Sequence, residues 1–334
     1  MKNDIQEIFS ARLSQARNTV QTAFLIFCLW TGWQFFCFFE WASGQSTHFV
    51  QRPPAVEAFL PISALVGLKH LLQTGNFDPV HPAGLTILLA ILAMSLLFRK
   101  GFCGWICPVG AVSNLVEKLS RKAGVLFRLP AWMDIPLLGL KYLLLGFFVY
   151  FIFLKMAPDQ IEAFMTSPYN IAADAEMLQF FLFPSMTSAM MISGLVLISF
   201  FLRNFWCRYL CPYGALLGII AMAGPIQIRR DRDSCTGCKR CERACPSSIK
   251  ITARKTVRTT ECIGCMECVS NCPEKDCLVP GLPLEKKAPL WLIPAGCLAV
   301  LLVFWAVARL TGHWQSHVPA QVFKQVYHIR HLVP

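Results

Sequence analysis

Eight cysteines in two matching runs constrain this chain more than any other feature. The first run is Cys235-x2-Cys238-x2-Cys241-x3-Cys245-Pro246, and the second is Cys262-x2-Cys265-x2-Cys268-x3-Cys272-Pro273. A cubane iron–sulfur cluster needs four thiolates at the corners of a tetrahedron. Three at two-residue spacing wrap one cluster, and the fourth is carried across to the other. Proline after that fourth cysteine redirects the chain without needing an N–H donor. The spacing therefore assigns Cys235, Cys238, Cys241 and Cys272 to one [4Fe–4S] cluster. It assigns Cys262, Cys265, Cys268 and Cys245 to a second. Gly237 and Gly264 stand where each loop turns closely. Zinc is the competing reading, but zinc sites show CxxC pairs far apart or mixed with histidine.

The rest of the chain is too apolar for an ordinary soluble protein. Of 334 residues, 55 % are hydrophobic and 15 % charged, against about 25 % charged in a typical soluble domain. Five segments have the roughly 20 apolar residues that cross a bilayer as a helix: 20–40, 82–99, 136–156, 184–202 and 288–309. The segment 58–72 is shorter and contains Pro61 and Lys69, which suits an interfacial or re-entrant helix. The polar first 19 residues precede a run too long for a cleaved signal, so that run is read as the first span.

The formal net charge of +12 is topological on this reading, and nucleic acid is not implied. Lys2, Arg12 and Arg17 precede the first span, and Arg99, Lys100, Lys118, Arg121, Lys122 and Arg128 follow the second. The loops 41–81 and 157–183 hold only Arg52 and Lys69, while 203–287 holds 15 Lys and Arg. The positive-inside rule then places the N-terminus and the cysteine runs in the cytoplasm, and the tail outside. The expected organisation is a cytoplasmic segment 1–19, a four-span region 20–225, a cluster domain 226–285, a fifth span 286–310 and an extracytoplasmic tail 311–334.

One internal repeat is present. Cys103-Gly-Trp-Ile-Cys107-Pro-Val-Gly-Ala returns 104 residues later as Cys207-Arg-Tyr-Leu-Cys211-Pro-Tyr-Gly-Ala. On a continuing helix each i,i+4 pair presents both sulfurs on one face. Three readings stay open for these four thiols: an additional iron–sulfur or other metal site, a dithiol–disulfide couple, or helix packing.

Residues 230–280 resemble the bacterial two-cluster ferredoxins. Together with the two CxxxCP motifs, the set resembles the polyferredoxin-type membrane proteins, the group of NapH, the membrane half of NosR and CcoG. The resemblance covers about 80–280 and is most like the compact NapH type. The expected fold is mainly α: a five-span integral membrane protein of the bacterial inner membrane, with an inserted α+β ferredoxin module. The resemblance implies electron transfer between the quinone pool and a respiratory redox partner, as a quinol dehydrogenase component. A copper-reducing assembly factor, as CcoG suggests, and a redox-linked regulatory subunit are the alternatives.

Cys28, Cys37 and Cys297 read as small core residues of spans, and Cys277 as packing beside the second run. Lys141 reads as a snorkelling lysine. His48, His70, His81 and Asp78 read as solvated loop residues, with proton handling at a quinone site as the sharper alternative. His313, His317, His328 and His331 read as a polar tail that contacts a partner.

Overall fold

The computed structural model describes residues 2–127, 129–283 and 286–332. Arg128 and the side chains of Lys2 and His331 lie outside the described residues. The chain divides into two compact units. Unit 1 comprises residues 1–25, 91–145 and 194–301; unit 2 comprises 26–90, 146–193 and 302–334.

The helices in chain order are α1 (Lys2–Ala42), α2 (Pro61–Thr74), α3 (Pro82–Phe98), α4 (Gly101–Trp105), α5 (Pro108–Ala123), α6 (Ala131–Val149), α7 (Pro158–Met165) and α8 (Pro168–Ile171). They continue with α9 (Ala173–Leu182), α10 (Met186–Phe201), α11 (Pro212–Ala223), α12 (Arg240–Ala244), α13 (Glu267–Ser270), α14 (Leu292–Leu310) and α15 (Ala320–Leu332). Arg12–Ala42, Trp132–Lys155 and Leu292–Leu310 are long and apolar enough to cross a membrane. Helices α9 and α10 qualify as a pair, bent by 75° at their junction, and α3 is a shorter apolar helix. Among the described residues, three helices, or four if the bent pair is one span, thus meet the criterion where the sequence suggests five. The segment 184–202 opens on a sharp bend, and α3 has only 17 residues.

Unit 1 carries the cysteine runs. Strands β1 (Gln227–Arg230), β2 (Thr256–Val257) and β3 (Leu278–Gly281) form an antiparallel sheet in the order β2-β1-β3. Ile228 stands opposite both Val257 and Pro280, and Ile228 and Val257 are buried. The cysteine runs lie in the two crossovers of this small sheet, and their short helices α12 and α13 pack together.

Unit 2 has two apolar cores. Phe35, Phe38 and Phe39 of α1 pack with Ile171, Ala175, Phe323 and Tyr327. Val66 of α2 packs with Ile152, Ile161 and Met165. Pro61 opens α2, and Gly75 closes it in the left-handed conformation (φ 75°), the usual asymmetry of helix ends. Lys69 is buried and donates to the carbonyls of Ile152 (3.0 Å) and Met156 (2.6 Å). His48 is exposed.

Candidate iron–sulfur sites

The CxxxCP motif breaks a helix rather than riding on one. Pro108 and Pro212 take the first helical positions of α5 and α11, so Cys107 and Cys211 become extended N-cap residues. Cys103 precedes the break in α4, and Cys207 in a π-helical turn, Trp206–Leu210. The expectation of a continuing helix is corrected here: proline cannot extend the preceding turn, so the second cysteine starts a new helix.

The break aims helix N-termini at sulfur. The Gly214 amide donates to Cys211 Sγ at 3.3 Å, and the Gly110 and Val109 amides approach Cys107. Two helix N-termini thereby place partial positive charge at the thiols. The four sulfurs lie within electrostatic reach of one another. Lys100 and Lys141 stand beside them, and the Ser113 hydroxyl bonds Cys207. Burial pushes Cys103, Cys107 and Cys207 each up to about 12. Such thiols are inert when free; a bound cation supplies the charge that ionises them.

Lys141 does not snorkel. It is fully buried, and both oxygens of Glu261 hold its Nζ, at 2.6 and 2.7 Å. Glu261 immediately precedes Cys262, so this ion pair joins the CxxxCP thiols to the second run. Lysine at this point of an apolar segment gave no hint of a partner 120 residues away in sequence. Tyr142 adds a hydrogen bond to Thr260 (2.7 Å).

Other contacts clasp the module within unit 1. Arg17 pairs with Glu267 (3.0 Å) and donates to the Gly104 carbonyl (2.9 Å). Trp105 donates to Gly264 O (3.0 Å), and Arg203 to Cys245 O (2.6 Å). Arg99 reaches Ala221 O (3.0 Å) and Thr259 O. Backbone approach is close: a Cβ on Gly104 would stand 2.5 Å from Ile263 O. Arginines counted as topological charge are buried structural donors.

The two runs share a conformation. Gly237 and Gly264 are left-handed (φ 69° and 62°), as are Lys239 and Met266 after the second cysteine of each run (φ 58° and 64°). Cys272 lines one cavity with Cys235, Cys238 and Cys241. Cys245 neighbours Cys262, Cys265 and Cys268. The fold thus brings the fourth cysteine of each run to the other run. Among the described residues, no three His, Cys, Asp or Glu gather closely enough to hold a single metal ion. The thiols of the first set line a cavity, and an all-thiol donor set suits a multinuclear cluster.

The first set is the more open. Cys238 is exposed. The Gly237 amide and the Arg230 side chain hold the Cys235 thiol below its ordinary range. In the second set, burial pushes Cys265 up to about 12 and Cys268 well above the ordinary thiol range. Cys277 is the residue the sequence undersold. It is buried, lines the first cavity, and its thiol lies against those of Cys235 and Cys272. Cys297 is buried against Gly101, and Cys28 and Cys37 are half-buried.

A thiol-lined module clasped to apolar helices defines a class, and the comparisons agree with it. A 4Fe-4S dicluster domain model matches residues 227–273. A 4Fe-4S binding domain model matches 80–125 and again 184–230, the two CxxxCP repeats. The chain belongs to the polyferredoxin-type membrane iron–sulfur proteins, an electron-transfer family. It is 40 % identical over 319 residues to the putative electron transport protein YccM of Escherichia coli K12, covering 93 % of this chain and 88 % of that one. It is 32 % identical over 165 residues to the regulatory protein NosR of Pseudomonas aeruginosa, covering 48 % of this chain and 22 % of NosR. It is 27 % identical over 172 residues to the ferredoxin-type protein NapH of Haemophilus influenzae, covering 50 % and 55 %. No solved structure matches.

Proposed function

We propose that this chain passes electrons between the quinone pool and a respiratory reductase chain, as a NapH-like quinol dehydrogenase component. Two [4Fe–4S] clusters are held by Cys235, Cys238, Cys241 and Cys272, and by Cys262, Cys265, Cys268 and Cys245. Cys103, Cys107, Cys207 and Cys211 hold a further iron–sulfur or metal site. The chain crosses the inner membrane five times, with its N-terminus and cluster domain in the cytoplasm and its tail outside.

The observation that carries this is the packing of the CxxxCP site on the second run in unit 1. Lys141 touches Glu261, and Gly104 touches Ile263. Two N-termini and two lysines around four half-buried thiols fit an anionic thiolate-bound group. Bound clusters supply one-electron transfer; the chain supplies position, charge and exclusion of water. In this reading α4 and Lys141 fix the distance and the field between the sites.

The test is anaerobic. The purified protein in detergent is reduced with dithionite and then mixed with menadione or with cupric ion. Saturable reoxidation by menadione, following the visible cluster absorbance, is expected. Rapid reaction with cupric ion alone, lost in Cys103→Ala, overturns the quinone reading in favour of copper reduction.

A further inference from the structure

Unit 2 buries more negative charge than it neutralises. Arg52 donates to Glu57 Oε1 through Nη1 (2.7 Å) and to Asp174 Oδ2 through Nε (2.8 Å). Tyr327 donates to Asp174 Oδ1 (2.5 Å). His81 Nδ1 stands 3.5 Å from Glu57 Oε1 and 3.5 Å from Arg52 Nη2. Asp78 accepts from the Val80 and His81 amides through Oδ1 (2.8 and 2.9 Å), while its buried Oδ2 has no hydrogen-bond partner. Glu57, Asp78, His81 and Asp174 are each at most 2 % exposed. The loop carrying Asp78 and His81, the turn carrying Glu57, and helices α9 and α15 all contribute. The sequence suggests solvated loop residues at His81 and Asp78; the fold closes over them instead.

Three carboxylates face one permanent cation. With His81 neutral and Asp78 ionised, the group carries a net charge of −2, and in a low-dielectric interior that excess favours the uptake of a proton. His81 Nε2 donates to the Asn170 carbonyl (2.8 Å), so Nε2 keeps its proton and Nδ1 is the nitrogen that titrates. Burial alone lowers the imidazole's affinity for a proton, but contact with Glu57 outweighs it and leaves the pKa above its ordinary value. Burial raises that of Asp78 against its two amide donors. The group therefore has two places for a proton, Nδ1 of His81 and Oδ2 of Asp78.

We propose that His81 and Asp78 form a buried proton-acceptor site that takes the two protons released when a hydroquinone is oxidised. The inference rests on the quinol reading above. In the step, two O–H bonds of the hydroquinone break. Its two electrons go one at a time to oxidised iron–sulfur centres, its two protons go to His81 and Asp78, and a quinone leaves.

Two measurements on the cluster-loaded protein test it. The first is infrared pH titration in lipid. The wild type should show a protonated-carboxyl stretch that Asp78→Asn lacks; an identical band in both overturns the assignment of a proton to Asp78. The second is stopped-flow reduction of the clusters by decylubiquinol. His81→Gln keeps a donor for Asn170 O but loses the basic nitrogen. A rate at least tenfold lower and a displaced pH profile are expected, with dithionite reduction unchanged. Wild-type kinetics in His81→Gln overturn the acceptor role and leave the quinol reading standing. If decylubiquinol fails to reduce the wild type, the quinol reading falls, while the infrared result still decides whether the group binds a proton. If His81→Gln loses its clusters, Asp78→Asn serves the same kinetic comparison.

Discussion

Cys277 shows how one thiol outside the recognised spacing acquires a role. It is buried in the wall of the first cavity, and its neighbours are Cys235 and Cys272. Its S–H also points at the Asp231 carbonyl, 3.7 Å away. Once Cys235 and Cys272 are thiolates, they are the stronger acceptors, because a charged acceptor outcompetes a neutral carbonyl. Hydrogen bonds to cluster sulfurs raise the reduction potential. Cys277→Ala is therefore expected to lower the midpoint of the first cluster by tens of millivolts, where about 59 mV is tenfold for one electron. Cys277→Ser should restore much of it. Electron paramagnetic resonance with redox titration reads both, and an unshifted midpoint returns Cys277 to simple packing. Lys141 makes a parallel case in energy. Removing one partner of a buried ion pair costs about 3–5 kcal/mol, since the other charge is left unpaired. Lys141→Met should lower the apparent melting temperature strongly. Lys141→Met with Glu261→Met should recover a large part, and additive losses would show that the pair is uncoupled.

At the scale of elements, the second cysteine run depends on a helix of five residues. α4 offers Gly104 to the Ile263–Cys265 turn, and its carbonyl accepts from Arg17 (2.9 Å) and Gln21 (3.1 Å). A methyl at Gly104 meets a backbone oxygen, which cannot swing aside as a flexible side chain would. Gly104→Ala should cost about 1–3 kcal/mol by overpacking. It should also loosen the second cluster before the first, seen as selective loss of one resonance signal. Equal loss of both would show that α4 supports the whole module. Much of this was legible in sequence. The doubled run carried the crossing of Cys245 and Cys272, because thiol spacing is set by cluster geometry and hardly by context. The CxxxCP repeat left three readings open, and the fold brings its four sulfurs within electrostatic reach of one another. The helix break at Pro108 and Pro212 was present in the motif, yet i,i+4 spacing suggested a continuous face; the preference of proline for the first helical turn overrides it. Lys141, Arg99 and Arg203 were not legible as structural donors. Their partners are backbone carbonyls or a glutamate far along the chain, and no local pattern encodes those. His81 and Asp78 failed the same way: a polar loop closed over by distant helices looks solvated until the tertiary structure is known.

At the scale of the whole molecule, charge divides as sharply as contacts do. Unit 1 holds 25 Lys and Arg against 12 Asp and Glu, whereas unit 2 holds 6 against 7. Unit 1 alone therefore exceeds the chain's net charge of +12. Positive charge gathers in the cytoplasmic parts of membrane proteins, counted mainly near span ends. Arg99, Lys100, Arg203 and Arg208 lie at such ends, and all four are held by carbonyls or carboxylates of unit 1. On the proposed orientation, the structural and the topological uses of these cations coincide. Thiolate clusters also require a reducing compartment for assembly, which supports the proposed cytoplasmic side for the cysteine runs. The proposed orientation makes a direct prediction. Lys250 and Gln315 are exposed, so Lys250→Cys and Gln315→Cys present accessible thiols. A membrane-impermeant maleimide should label Lys250→Cys in inverted vesicles and not in intact cells. It should label Gln315→Cys in intact cells and not in inverted vesicles. The wild type sets the background, since Cys238 is itself exposed. Labelling of both positions from the same side would show that α14, the one proposed span between them, does not cross; labelling of each from the side opposite to that expected would instead remove an earlier span, and α3, with only 17 residues, would be the one to reassign.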